Sequence, residues 1–150
     1  MTPIIVDSTQ SLLTNQMREN IIKLIGIPFK IGREDLKGCD CVGICWLYHK
    51  LIHNKNYPHR DGKMLVFRDR RKDIFRIINV IETWARHIPL VNINEGDIVL
   101  MKGEGGNGCL GVAVNKYQIL CMQDKVGSRL IKIDDLKTFL LRVYRPNENI

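Results

Sequence analysis

Beyond Pro89 the apolar residues of this chain change their period, and that change limits the fold more than any other feature. Before it, Leu12, Leu13, Met17, Ile21, Leu24 and Ile25 recur at helical spacing, as do Ile74, Ile77, Ile78, Ile81 and Trp84. Such spacing gathers apolar side chains on one face of a helix. After Pro89 come short β-branched and apolar runs divided by turn residues, at 97–101, 110–115, 118–122, 130–133 and 140–144. These read as strands, with Asn115-Lys116 as a tight hairpin connection.

The helical half divides at its breakers. Asp7, Ser8 and Thr9 offer N-caps to a first helix, which Gly26 and Pro28 stop. Residues 32–38, GREDLKG, read as a loop, and Asp40 then caps a second helix over 41–53. That helix carries Cys41, Cys45 and Tyr48 or His49 on one face. A polar, basic stretch with turn signals follows, then a third helix over 73–87 that ends at His87. Helices first and an antiparallel sheet second predict an α+β fold, built as one domain over residues 1–150.

Composition narrows the class. With 45% apolar and 26% charged residues, the chain has enough core to fold, which excludes disorder as the default. The net charge of +7 predicts attraction to polyanions or acidic surfaces without choosing among them. Residues 1–10 lack the basic start and long apolar run of a secretory leader, and no apolar run approaches the roughly 18 residues of a membrane span. Synthesis in the cytoplasm, with no membrane insertion, is therefore expected. Five cysteines there are expected as thiols, ligands or catalytic groups rather than a disulfide framework.

Three of those cysteines fall in GCDCVGICW, residues 38–46. A cysteine opening a helix feels the positive end of the helix dipole, which favours thiolate. Spacing alone does not separate such a nucleophile from a small buried residue. Cys39 precedes the cap, and Cys45, one turn into the helix, is expected to face the core. Trp46 and Trp84 read as packing anchors, because both fall in helical apolar patterns. The run Arg68, Asp69, Arg70, Arg71, Lys72 reads as a solvated loop or helix start, with an interaction surface as its functional alternative. Nucleic-acid binding is disfavoured, since no binding motif is present and basic residues are not interleaved with exposed aromatics.

The stretch GIPFKIGREDLKGCDCVGICWLYH resembles the entry of the NlpC-type branch of the papain-like cysteine peptidases, which cut peptides in bacterial cell-wall murein. It has that family's Gly-x-Pro-aromatic turn, its Gly-Arg loop and its Asp-Cys-x-Gly helix start. NEGDIVLMK resembles the family's Pro-Gly-Asp strand, with Glu95 in place of the proline; CLGVAVNKYQILCM resembles the next hairpin and LLRVYRP the terminal strand. The resemblance runs from Gly26 to Pro146. It implies a papain-like core with N-terminal helices on a mostly antiparallel sheet of five to six strands, and it places Cys41 at the nucleophile position. The Cys-Asp-Cys-Val-Gly spelling is similar to the short, single-domain form carried by tailed bacteriophages. That form implies a virion tail or baseplate location, with other tail proteins as partners and peptidoglycan as a further one.

The departure lies in the hairpin. Where the family has His-x-Gly, with the histidine as general base, the chain has Cys109-Leu110-Gly111; twelve residues on, at the orienting position, it has Cys121. A neutral thiol, with a pKa near 8.5, is a poor proton acceptor, and general-base catalysis contributes roughly 100- to 10,000-fold. The reading adopted is a virion structural component derived from a murein peptidase and catalytically inactive. The alternative is an active cysteine endopeptidase with another base; His49 and His53 point away along the second helix, and His59 sits in a polar loop. A third use of Cys41, Cys109 and Cys121, as a Zn²⁺ site, suits tetrahedral thiolate ligation but lacks Cys-x-x-Cys spacing. A Cys109–Cys121 bridge requires the two to stand opposite each other. No cofactor is expected.

Overall fold

The computed structural model describes residues 3–4, 12–59, 69–103 and 108–148, apart from the side chains of residues 12–14. The caps expected at Asp7, Ser8 and Thr9, and the side chains of Leu12 and Leu13, lie outside the described residues, as does Arg68. The order of elements is α1 (Leu12–Lys23), β1 (Glu34–Asp35), β2 (Gly38–Cys39), α2 (Cys41–His53), α3 (Ile74–Ile81), β3 (Ala85–Ile88), β4 (Ile98–Lys102), β5 (Gly108–Ala113), β6 (Gln118–Gln123), β7 (Gly127–Lys132), α4 (Ile133–Leu136) and β8 (Leu140–Pro146), with a 3-10 turn at Leu90–Asn92. Helices and an antiparallel six-stranded sheet in the order β3-β8-β4-β5-β6-β7 make an α+β fold.

Two expectations need correction. The third helix does not run to His87 but stops at Ile81, where Thr83 Oγ1 donates to the Val80 carbonyl at 2.6 Å and the chain turns. Ala85–Ile88 then pairs antiparallel with β8, placing His87 on an outer strand opposite Tyr144. Pairing with β8 outweighs a helical period that Trp84 continues by coincidence: its buried ring is held by its own Nε1–H, which donates to the Pro58 carbonyl at 2.7 Å. The GREDLKG stretch is not a bare loop either. Its Glu34–Asp35 pairs as β1 with Gly38–Cys39 as β2, Glu34 with Cys39 and Asp35 with Gly38.

Apolar side chains pack on both faces of the sheet. On one, α2 lies across β5 and β6, and Val42, Ile44, Cys45 and Tyr48 pack with Leu110, Val112 and Leu120. On the other, Val99, Met101, Ala113, Ile119 and Cys121 pack beneath Ile93 and Ile133. Successive strand residues point to opposite faces, so β5 and β6 feed both clusters in alternation. Cys109 touches both, which sets it at the seam between them. Across the sheet, the buried Asp97 receives both Arg145 Nε and Nη2 at 2.9 Å, fastening the start of β4 to the end of β8.

Candidate functional site

Asp40 organises the start of α2. Its Oδ1 accepts from the Gly43 amide at 2.7 Å, the N-cap bond expected of this residue. Its Oδ2 accepts from the Gly32 amide at 3.0 Å. The chain entering β1 presses so closely here that a Cβ on Gly43 would sit 2.0 Å from the Arg33 carbonyl oxygen. Glycine is thus required in Asp-Cys-Val-Gly by the neighbouring backbone, not by the helix.

The basic run behaves differently from its expectation. Arg70 is not solvated: it is 2% exposed and closes on Asp40 with Nε to Oδ2 at 2.7 Å and Nη2 to Oδ1 at 2.5 Å. Its Nη1 donates to Glu34, which His59 Nε2 also meets at 2.5 Å. Burial alone would raise the Glu34 carboxyl, but His59 and Arg70 together hold it down at about 2. Arg71 spans Asp69 and Asp124, the latter at 2.6 Å, and lies 5.3 Å over the Phe29 ring. Lys72 is exposed as expected. No spacing rule in the sequence marks Arg70 or Glu34 as Asp40's surroundings. The one hint is Asp40 itself, since a carboxylate capping a helix inside a core needs a cation.

Cys41 opens α2 and faces a cleft of about 740 Å³ whose walls include Cys41, Cys109, Cys121, Phe29, Arg71 and Phe139. The three cysteines singled out in the sequence therefore converge on one space. The Cys109 thiol donates to the Leu110 carbonyl at 3.6 Å; the neighbouring Cys109 and the Leu110 amide together outweigh burial and lower the Cys41 pKa. Cys109 is raised in turn, first by the neighbouring Cys41 and then by burial. Burial pushes Cys121 up to about 12. Cys41 is 3% exposed, whereas Cys109 is partly exposed.

The other expectations for the thiols resolve by register. Cys121 stands opposite Gly111, not opposite Cys109, and all five cysteines are free. Among the described residues no three His, Cys, Asp or Glu side chains gather as a metal would require. Cys39 and Cys45 are fully buried, Cys45 donating to the Cys41 carbonyl at 3.5 Å.

None of the chain's four histidines lines the cleft. His59 is engaged by Glu34 and the Tyr57 carbonyl, its ring 4.2 Å from that of Trp46. His53 meets Glu95 at 2.7 Å at the far end of α2, where Tyr48 donates to the same carboxylate. His49 is buried beside them with neither ring nitrogen hydrogen-bonded, and burial and then His53 lower it to about 3. Glu95, standing where the resemblance has proline, thus anchors α2 to the turn before β4.

No family model matches the sequence, and no curated protein is significantly similar to it. Solved structures are similar in fold. The α+β architecture, with a cysteine-headed helix packed on an antiparallel sheet, is a papain-like fold of the kind seen in NlpC/p60 domains. The NlpC/p60 domain of the peptidoglycan hydrolase SagA superposes with a TM-score of 0.58 at 15% identity, over 86% of this chain and 95% of that one. A Staphylococcus aureus protein described as similar to lipoprotein, of the NLP/P60 family, gives a TM-score of 0.61 at 12% identity over 97% of this chain. The match spans 46% of that longer protein. Among the described residues no helix is long and apolar enough to cross a membrane.

Proposed function

We propose that this chain keeps an NlpC/p60 peptidase fold without its hydrolytic activity, as a structural component of a bacteriophage tail or baseplate. One observation carries the loss of activity: the side chain set against Cys41 in the cleft is the Cys109 thiol, and no imidazole stands there. Cys41 holds the nucleophile position, Cys109 the place of the general base and Cys121 that of its orienter. A thiol with a raised pKa returns no proton to a leaving amine at neutral pH, so an acyl transfer begun at Cys41 would stall.

The particle assignment draws support from the Cys39-Asp40-Cys41-Val42-Gly43 spelling, which resembles the tailed-phage form. Its partners would be neighbouring tail proteins, with peptidoglycan as a surface that a net charge of +7 favours. The alternative, a working endopeptidase acting on peptidoglycan stem peptides, rests on the lowered pKa of Cys41 and its place at a helix N-terminus.

Digestion of purified peptidoglycan by the protein, beside a Cys41→Ala control, tests the reading. The expected result is no soluble peptide fragments from either. Fragments released only by the unaltered protein would establish the endopeptidase instead.

A further inference from the structure

We propose that Cys41 and Cys109 form a peroxide-responsive dithiol, in which Cys41 is oxidised first and Cys109 resolves it to a reversible intramolecular disulfide. The proposal uses the cleft described above but does not depend on whether peptide hydrolysis is lost.

Three placements carry it. Cys41 opens α2, which packs on β5, and Cys109 of β5 packs against the apolar cluster that holds Cys41, so the two thiols come together although they are far apart in sequence. Both line a cleft of about 740 Å³, ample for a small peroxide to approach the otherwise buried Cys41. Of the three remaining cysteines, Cys39 and Cys45 are fully buried off the cleft. Cys121 lines the cleft but packs in the cluster on the sheet face away from α2, whereas Cys109 also packs against the cluster that holds Cys41. The assignment of roles follows the environment: Cys109 and the Leu110 amide favour thiolate on Cys41, whereas Cys41 and burial keep Cys109 protonated.

The chemistry closes with hydrogen peroxide as oxidant. The Cys41 thiolate attacks one peroxide oxygen; an S–O bond forms and the O–O bond breaks. Hydroxide leaves, and the sulfur, oxidised by two electrons, becomes a sulfenic acid. The Cys109 sulfur then attacks the Cys41 sulfur, an S–S bond forms, and the S–O bond breaks. The displaced hydroxyl departs as water with the Cys109 proton. A bonded pair needs an S–S distance of about 2.05 Å, so the two sulfurs must close by side-chain movement. A thiol reductant reverses the product by exchange.

The test treats the whole chain with a small excess of hydrogen peroxide, counts free thiols, and maps peptides under non-reducing conditions. Two of the five thiols should disappear, with the Cys41 and Cys109 peptides recovered as one linked species lighter by two hydrogens, and dithiothreitol should restore both. In a Cys109→Ser variant, peroxide with dimedone should label Cys41. Linkage of Cys41 to any other cysteine, conversion of Cys41 to sulfinic acid without linkage, or no thiol loss while free glutathione in the same tube is consumed would each overturn the proposal. The peptide map of the unaltered chain needs no variant to fold, and peptidoglycan digestion is read separately, so the two proposals fail independently.

Discussion

Replacing Arg70 with methionine removes the cation that neutralises Asp40 while roughly keeping the side chain's volume. Asp40 and Arg70 are 3% and 2% exposed and joined through both carboxylate oxygens. Removing one partner of such a pair leaves a buried, uncompensated charge, which costs about 3–5 kcal/mol. For a chain of this size that corresponds to a fall of roughly 6–20 °C in melting temperature. The loss should be readable in urea titrations at pH 7, and it should be repaired in part by a second change. Asp40→Asn keeps an acceptor for the Gly43 amide but carries no charge, so the double variant should be more stable than Arg70→Met alone, with a coupling above about 1 kcal/mol. Acid adds a further arm. Glu34 is held at about 2 in the folded chain against an ordinary 4.5, so its contribution is complete above about 4.5 and is lost as pH falls toward 2. With Arg70 gone, Glu34 loses one of the partners that hold it down, and that acid-sensitive part should shrink. A cost below about 1 kcal/mol for Arg70→Met, or a coupling near zero, would refute the idea that this ion pair holds the head of α2.

Gly43→Ala should cost more than about 4 kcal/mol, because the new Cβ would overlap the Arg33 carbonyl at 2.0 Å; urea unfolding within 1 kcal/mol of the parent would contradict that packing. His49→Phe should leave stability at pH 8 unchanged or higher, since it removes two buried nitrogens without partners. His49 is lowered to about 3 in the fold, so the unfolded chain takes up the proton first and stability falls as pH drops from about 6.5 toward 3. Melting temperatures across that window should lose this part of their slope in the variant; an unchanged slope would reject the assignment.

The sequence was most legible where one period dominates. The five runs after Pro89 correspond to β4 to β8 with shifts of a few residues at their ends, and 41–53 is α2, because Asp40 both caps the helix and precedes its apolar stripe. Ala85–Ile88 escaped because its residues continue a helical stripe, and only the distant β8 makes them a strand. Cys41, Cys109 and Cys121 were traceable through the resemblance, and their convergence on one cleft follows from α2 lying across β5 and β6. Arg70 was not traceable. In sequence it is one cation in a polar run, and its burial depends on a contact thirty residues away with Asp40. A charge run says how a segment would behave in water, not which of its members a carboxylate in the core will draw inward.

The central claim is that the cleft is a peptidase cleft lacking its proton acceptor. Peptide release from purified peptidoglycan, followed by mass spectrometry, tests it most directly when the unaltered chain is compared with a Cys109→His, Cys121→His double variant. The account predicts that the folded double variant releases fragments at least about 100-fold faster than the unaltered chain and that adding Cys41→Ala abolishes the gain. Equal release by the two, or a folded double variant that stays silent, would contradict it.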